Sequence, residues 1–158
     1  MRRTGVTAYA YHRPRSLEEA FRLQADNPGA RFIAGGTDLM VRIRSRELRP
    51  EALISLRSVP GLAGISDGDP VEIGALTTIT ELIESPLLAE RFPVLIQAAR
   101  RLGGVQIRNA ATIGGNLCNC SPCADTATPL LVLGARVRLQ SAEGTREIPI
   151  EGFFVGPG

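Results

Sequence analysis

The 158-residue sequence reads as a mixed fold of short helices and short strands, in one domain or two small lobes sharing an interface. Three observations carry this. Short apolar or alternating runs, the signal of strands, recur between helix starts that pair a hydroxyl with a carboxylate three residues on. Two glycine pairs, Ala34-Gly35-Gly36-Thr37-Asp38 and Thr112-Ile113-Gly114-Gly115-Asn116, each stand where an apolar run stops and a polar run begins. Pro50 marks a lobe boundary, dividing the chain into residues 1–50 and 51–158. A chain of this length buries about two-thirds of its unfolded surface, so it needs neither disulfide nor metal for stability.

In order, Tyr9-Ala10-Tyr11 is a strand leading into Pro14. Ser16-Leu17-Glu18-Glu19 has capping-box spacing and opens a helix running to about Asp26, with Leu17, Ala20, Phe21 and Leu23 or Gln24 inward. Asn27-Pro28-Gly29 stops it. Arg31 to Ala34 is a strand that delivers the chain into the first glycine pair, and Leu39, Val41 and Ile43 follow in a short helix or extended turn. Beyond Pro50, Leu53–Leu56 and Leu62–Ile65 read as strands, and Ser66-Asp67-Gly68-Asp69 as a hairpin returning through Val71–Gly74. Thr78 to Glu81 repeats the capping box before a helix that ends ahead of Pro86. Pro93 to Leu102 is a helix with Val94, Ile96 or Gln97, and Ala98 inward, stopped by Gly103-Gly104. After the second glycine pair, Ser121-Pro122 suits a helix entry, with Ala124 to Leu133 as a helix that Pro129 shortens or kinks. Arg136–Gln140 and Glu147–Ile150 form a final hairpin around Glu143-Gly144. Two adjacent aromatics, Phe153 and Phe154, call for something to pack against and suggest a piece of a longer chain.

Composition narrows the function. With 18 basic and 16 acidic residues the net charge is +2. The Arg residues are interspersed with acidic ones, and Trp is absent, which argues against a nucleic-acid stripe or a base-stacking platform. Arg42, Arg44, Arg46 and Arg49 read as a solvated face. No apolar run approaches the roughly 20 residues that span a bilayer, and Thr4 to Arg13 gives no signal-peptide core. A cytoplasmic protein with no membrane and no nucleic-acid partner is expected. Cys118, Cys120 and Cys123 do not resemble a secreted disulfide framework, and a tetrahedral metal site would need a fourth ligand; small side chains lining a pocket is the preferred reading. No metal site is assigned.

The glycine pairs carry the chemistry. Without Cβ a glycine takes positive φ and lets a ligand approach its N–H groups. Successive N–H groups in such a turn make an anion-binding concavity, and a following helix start adds its dipole. Together they point to a phosphate-bearing cofactor recognised by main-chain donors, in a region with no Lys. Thr37, Thr112 and Asn116 add hydroxyl and amide partners. His12 is the only histidine and stands outside both pairs, and no paired carboxylates lie near them, so no catalytic residue is assigned. Asp125 has two readings, a helix-start carboxylate or a ligand. Arg108 likewise either balances phosphate charge or pairs with a surface carboxylate.

The ordered series from Tyr9 onward resembles the flavin-binding subunit or domain of the molybdenum hydroxylases, the family of xanthine dehydrogenase, aldehyde oxidoreductases and aerobic carbon monoxide dehydrogenase. The resemblance rests on Ala34–Asp38, on Ile73-Gly74-Ala75 followed by Thr77-Thr78, and on Gln106–Asn109. Its strongest block is Thr112–Leu117, continuing through Asn119, Ser121-Pro122 and Ala124-Asp125, with Phe153–Gly156 closing it.

The resemblance implies an α+β, two-lobed, PCMH-type FAD-binding domain, with a small N-terminal lobe and a larger lobe on a mostly antiparallel sheet. By that analogy Ile33, Ala34, Gly35, Gly36, Thr37, Asp38 and Leu39 wrap the FAD pyrophosphate. Thr112, Gly114, Gly115 and Asn116 close over it, Asp125 reaches toward the flavin or ribityl end, and Leu102 lies against the cofactor. It further implies an oxidoreductase subunit that passes electrons from two-iron two-sulfur clusters on a small subunit, reduced by a molybdenum-cofactor large subunit, to NAD, oxygen or another acceptor. Two other classes stay open: a non-catalytic remnant that keeps the fold without flavin, and a stand-alone FAD-linked oxidase. Family members continue beyond the equivalent of Gly158, and the family's C-terminal domain is not expected in this chain.

Overall fold

The computed structural model of the chain describes residues 9–120 and 125–154. They fall into two compact units: residues up to Ile33 together with Asp38–Pro60, and Ala34–Thr37 together with the chain from Gly61 onward. The expected helix entry at Ser121-Pro122, with Cys123, Ala124 and Val155–Gly158, lies outside the described residues.

The first unit is a three-stranded parallel sheet of β1 (Ala10–His12), β2 (Arg31–Ile33) and β3 (Ala52–Ser55), in the order β1-β3-β2. Leu53 stands opposite both Tyr11 and Arg31. Alternation along β3 divides its side chains between two helices. Ala52 and Ile54 pack with Ala20 of α1 (Leu17–Asp26), while Leu53 packs with Ile33 and with Ile43 of α2 (Leu39–Arg44). Covered on both faces, β3 is buried along its whole length, as parallel strands are. The first unit runs on to Pro60, and its strand β3, after Pro50, bonds to both earlier strands. At the start of α1, Ser16 Oγ accepts from the Glu19 N–H at 3.1 Å, but the Glu19 carboxylate reaches the Arg15 N–H at 2.8 Å, one residue before the cap position of a regular capping box.

The second unit contains the antiparallel pair β4 (Ile65–Ser66) and β5 (Glu72–Ile73), helices α3 (Ile79–Glu84), α4 (Pro86–Arg91), α5 (Pro93–Ala99), α6 (Val105–Arg108), α7 (Ile113–Cys118) and α8 (Ala127–Val132), and the hairpin β6 (Arg136–Ser141) and β7 (Gly144–Pro149). The fold is α+β, as expected. One apolar core joins the helices through Ile79, Leu82, Leu88, Leu95, Ile96, Ala99, Leu117 and Leu130. Phe153 and Phe154 pack edge to face, centroids 5.2 Å apart, against this core.

Three local expectations are corrected. On α5 the buried face is Leu95, Ile96 and Ala99; Val94 is 42% exposed and Gln97 is exposed. Pro93 sets the start of the helix, and its packing on α3, α4 and α8 selects the face. The strand expected over Leu62–Ile65 shortens to Ile65–Ser66, because Leu62 and Gly64 instead offer their carbonyls to the Leu76 and Gly74 N–H groups. The helix α4, with Ser85 as its cap and Pro86 at its first turn, lies where no helix was expected.

Candidate functional site around the glycine pairs

Both glycine pairs belong to the second unit, because the segment Ala34–Thr37 clusters there rather than with the strand that precedes it. The platform is a short antiparallel pairing of residues 75–79 with residues 111–114. Thr78 bridges Thr112, the Ile79 N–H donates to the Ala111 carbonyl at 3.0 Å, and the Ile113 N–H to that of Thr77 at 3.0 Å. Thr77 anchors it from below: fully buried, its hydroxyl accepts from the Gly64 N–H at 2.9 Å and donates to the Gly64 carbonyl at 3.0 Å. Thr78 caps α3 in a full capping box with Glu81. The stretch Ile73–Thr78 is thus the scaffold under the site.

The first pair lies main chain against main chain on this platform. A Cβ built on Gly35 would fall 2.0 Å from the Ala110 carbonyl oxygen and 3.1 Å from the Ala111 Cα. Any side chain there displaces backbone, so glycine is required for close approach. Gly36 is at φ +76°, in the left-handed region. Among the described residues, the N–H groups of Gly35 and Gly36 make no hydrogen bond.

The second pair differs from the expected open turn. Gly114 and Gly115 form the first turn of α7, with Thr112 as its N-cap. Their donors are already engaged: the Gly114 N–H with the Ala75 carbonyl at 2.9 Å, the Gly115 N–H with Thr112 Oγ1 at 3.1 Å, and the Asn116 N–H with the Thr112 carbonyl at 2.9 Å. What this segment still offers is the Asn116 side chain. Its Oδ1 accepts from the Thr126 hydroxyl at 2.6 Å and faces the Thr126 N–H at 3.4 Å.

The remaining sequence-derived positions distribute as follows. Ala34 and Thr37 flank the first pair in the second unit and are partly buried. Ile33, Asp38 and Leu39 belong to the first unit: Ile33 is buried at the end of β2, Asp38 is the N-cap position of α2, and Leu39 packs beside Ile33 and Ile43. Asp125 is exposed in the turn before α8. Leu102 is buried in the core of the second unit. Among the described residues Arg108 pairs with no carboxylate. Its guanidinium donates to the carbonyls of Gly103 at 2.6 Å and Leu102 at 3.1 Å, tying down the turn after α5. His12 lies in the first unit on β1, its Nε2 buried without a hydrogen-bond partner among the described residues. Cys118 and Cys120 are free thiols, and among the described residues no group of His, Cys, Asp or Glu is arranged to hold a metal. Burial, with Cys120 adding to it, pushes the Cys118 thiol above the ordinary range. Sequence reasoning missed Thr126, which is fully buried beside the exposed Asp125 and carries the contact to Asn116. A buried hydroxyl at a helix start has no sequence signal of its own.

The neutral donors of the second unit are thus the Gly35 and Gly36 N–H groups and the Asn116 amide, on an α+β scaffold whose sequence carries no Lys. Residues 7–158 match the family described as the FAD binding domain in molybdopterin dehydrogenase, and the chain belongs to that family. FAD, the cofactor expected from the sequence, is the one that description names. The chain is 41% identical over 152 residues to the xanthine dehydrogenase FAD-binding subunit of Escherichia coli O157:H7, covering 94% of this chain and 52% of that one. It is 36% identical over 150 residues to the carbon monoxide dehydrogenase medium chain of Hydrogenophaga pseudoflava, covering 94% and 52%. Among solved structures it superposes on quinoline 2-oxidoreductase from Pseudomonas putida 86 with a TM-score of 0.92 at 30% identity, covering 98% of this chain and 54% of that one. The chain spans about half the length of the curated relatives it matches. No helix among the described residues is long and apolar enough to cross a membrane.

Proposed function

We propose that this chain is the FAD-holding, electron-transferring part of a cytoplasmic molybdenum hydroxylase, working beside a molybdenum-cofactor large subunit and a two-iron two-sulfur small subunit. The observation that supports this best is the seating of Gly35 on the Ala110–Ala111 main chain, which fixes a left-handed turn whose Gly35 and Gly36 donors have no partner among the described residues. These two N–H groups serve the diphosphate, which main-chain donors hold without side-chain charge. Ala34 and Thr37 complete the turn, Thr112, Gly114 and Gly115 build the opposing wall, and Asn116 supplies an amide donor from it. Asp125, exposed at the turn before α8, serves the ribityl or flavin end. Bound FAD supplies the redox chemistry, taking electrons and passing them to NAD, oxygen or another acceptor. The chain's own residues bind and orient; none is assigned an acid–base role.

The test is direct. The purified chain is titrated with FAD and followed by flavin fluorescence, then co-expressed with molybdenum and iron–sulfur subunits and tested for co-purification. Saturable binding at one flavin per chain, with capture of both partners, is expected. A chain that shows no saturable binding is the remnant reading, and one that binds FAD but captures neither partner is the stand-alone oxidase.

A further inference from the structure

We propose that Thr126 is a positioning residue for the cofactor: its hydroxyl locks the Asn116 side-chain amide with the carbonyl turned inward, leaving the NH2 group as the donor to an acceptor oxygen of FAD. This rests on the FAD reading above and adds to it a residue that makes no contact with the cofactor itself.

The two ends of an asparagine amide are alike in shape, and only their hydrogen-bond partners assign them. Here the assignment is forced. A threonine hydroxyl can donate or accept, but a main-chain N–H only donates. The Thr126 hydroxyl lies 2.6 Å and its N–H 3.4 Å from the same Asn116 atom, so that atom is the carbonyl oxygen. The Nδ2 group is thereby left with two N–H donors and, among the described residues, no acceptor.

Thr126 gives up its usual work to do this. It is the N-cap residue of α8, where a threonine oxygen ordinarily accepts an N–H of the first turn, yet it makes no such bond. Its side chain is fully buried, and a buried hydroxyl needs a partner. Asn116 is that partner. The contact joins two segments 10 residues apart, so it holds α7 against the start of α8 while it orients the amide. A neutral, two-pronged donor suits the acceptor-rich surface of a dinucleotide and complements the main-chain donors of Gly35 and Gly36.

The experiment is a double-mutant cycle read as the FAD dissociation constant of the full chain, with Thr126→Val, Asn116→Ala, the double variant, and Thr126→Ser as the conservative replacement. Thr126→Val keeps the shape and removes the hydroxyl, and should weaken FAD about tenfold. Thr126→Ser should bind within about twofold of the parent, because it restores the donor. In the Asn116→Ala background, Thr126→Val should add no further loss. Parent-like binding by Thr126→Val, or losses that multiply in the double variant, would overturn the proposal. Should Thr126→Val not fold, Thr126→Ala is taken through the same cycle and the same outcomes decide. Failure of the FAD reading looks different, since the parent chain itself would then not bind.

Discussion

Gly35 and Gly114 both press on neighbouring main chain, yet the glycine pairs they belong to present opposite hydrogen-bonding faces. At the first pair the turn is left-handed at Gly36 and its two glycine N–H groups have no partner among the described residues. At the second, the same Gly-Gly pattern is the first turn of a helix, and each of its N–H groups already has an acceptor. One motif therefore serves two purposes: donor presentation in the first case, close packing of α7 onto residues 75–77 in the second. A Gly-Gly pair read from sequence fixes where backbone approaches backbone, and the local hydrogen-bond accounting decides whether a ligand is served.

The largest effect should come from Gly35→Ala. The new Cβ would meet the Ala110 carbonyl oxygen at 2.0 Å, and the obstacle is main chain rather than a side chain that can swing aside. The cost should reach or exceed the roughly 1–3 kcal/mol of ordinary overpacking. Thermal melting of the apoprotein and FAD titration should both show it, the second more strongly because the donor turn is displaced. A variant that melts and binds like the parent would break the contrast at its stronger end.

The second pair should respond unevenly. At Gly114 a Cβ would meet the Ala75 carbonyl oxygen at 2.7 Å and the Ala75 Cβ at 2.8 Å, so Gly114→Ala should cost about 1–3 kcal/mol by loosening α7 from its platform. At Gly115 the obstacle is only the Thr112 hydroxyl at 2.9 Å, which can rotate away. Giving up that cap costs about 1 kcal/mol, and replacing a helical glycine by alanine returns about as much. Gly115→Ala should therefore fold with stability within about 1 kcal/mol of the parent, read by thermal melting of the apoprotein. If it melted as far below the parent as Gly114→Ala, the two glycines of the second pair would press equally on their surroundings and the difference between them would collapse.

Much of this was legible from local chemistry. The capping box at Thr78–Glu81, the hairpin around Ser66–Asp69 and the helix opened by Ser16 all depend on residues within a few positions of each other, and they stand as read. The α7 helix was not legible, because two glycines in its 6 residues lower its intrinsic propensity. It is held by the bridge to Thr78 and the bond to Ala75, contacts that cross the sequence. For the same reason the register of α5 went to the face its neighbours cover, and the buried Thr126 beside the exposed Asp125 left no mark in the sequence. Charge is visible in a sequence; burial is not.

Cys118 offers the smallest and most local readout of the contrast, since it is the last residue of α7. Part of its surface reaches solvent, but partial burial of the sulfur and the neighbouring Cys120 raise its thiol above the ordinary range. The thiolate is the reactive form, so a raised thiol holds less of it at neutral pH. Cys118 should be alkylated by iodoacetamide more slowly than a solvated cysteine at pH 7, and the rate should keep rising with pH beyond the point where a solvated thiol levels off. Site-resolved mass spectrometry gives the rate for this residue alone. Gly114→Ala, which frees α7 from its platform, should relieve the burial and speed the reaction, while Gly115→Ala should leave it slow. Equal acceleration in both variants would mean that α7 depends on the Thr112 cap as much as on the Ala75 contact, and the two glycines of the second pair would no longer be separable.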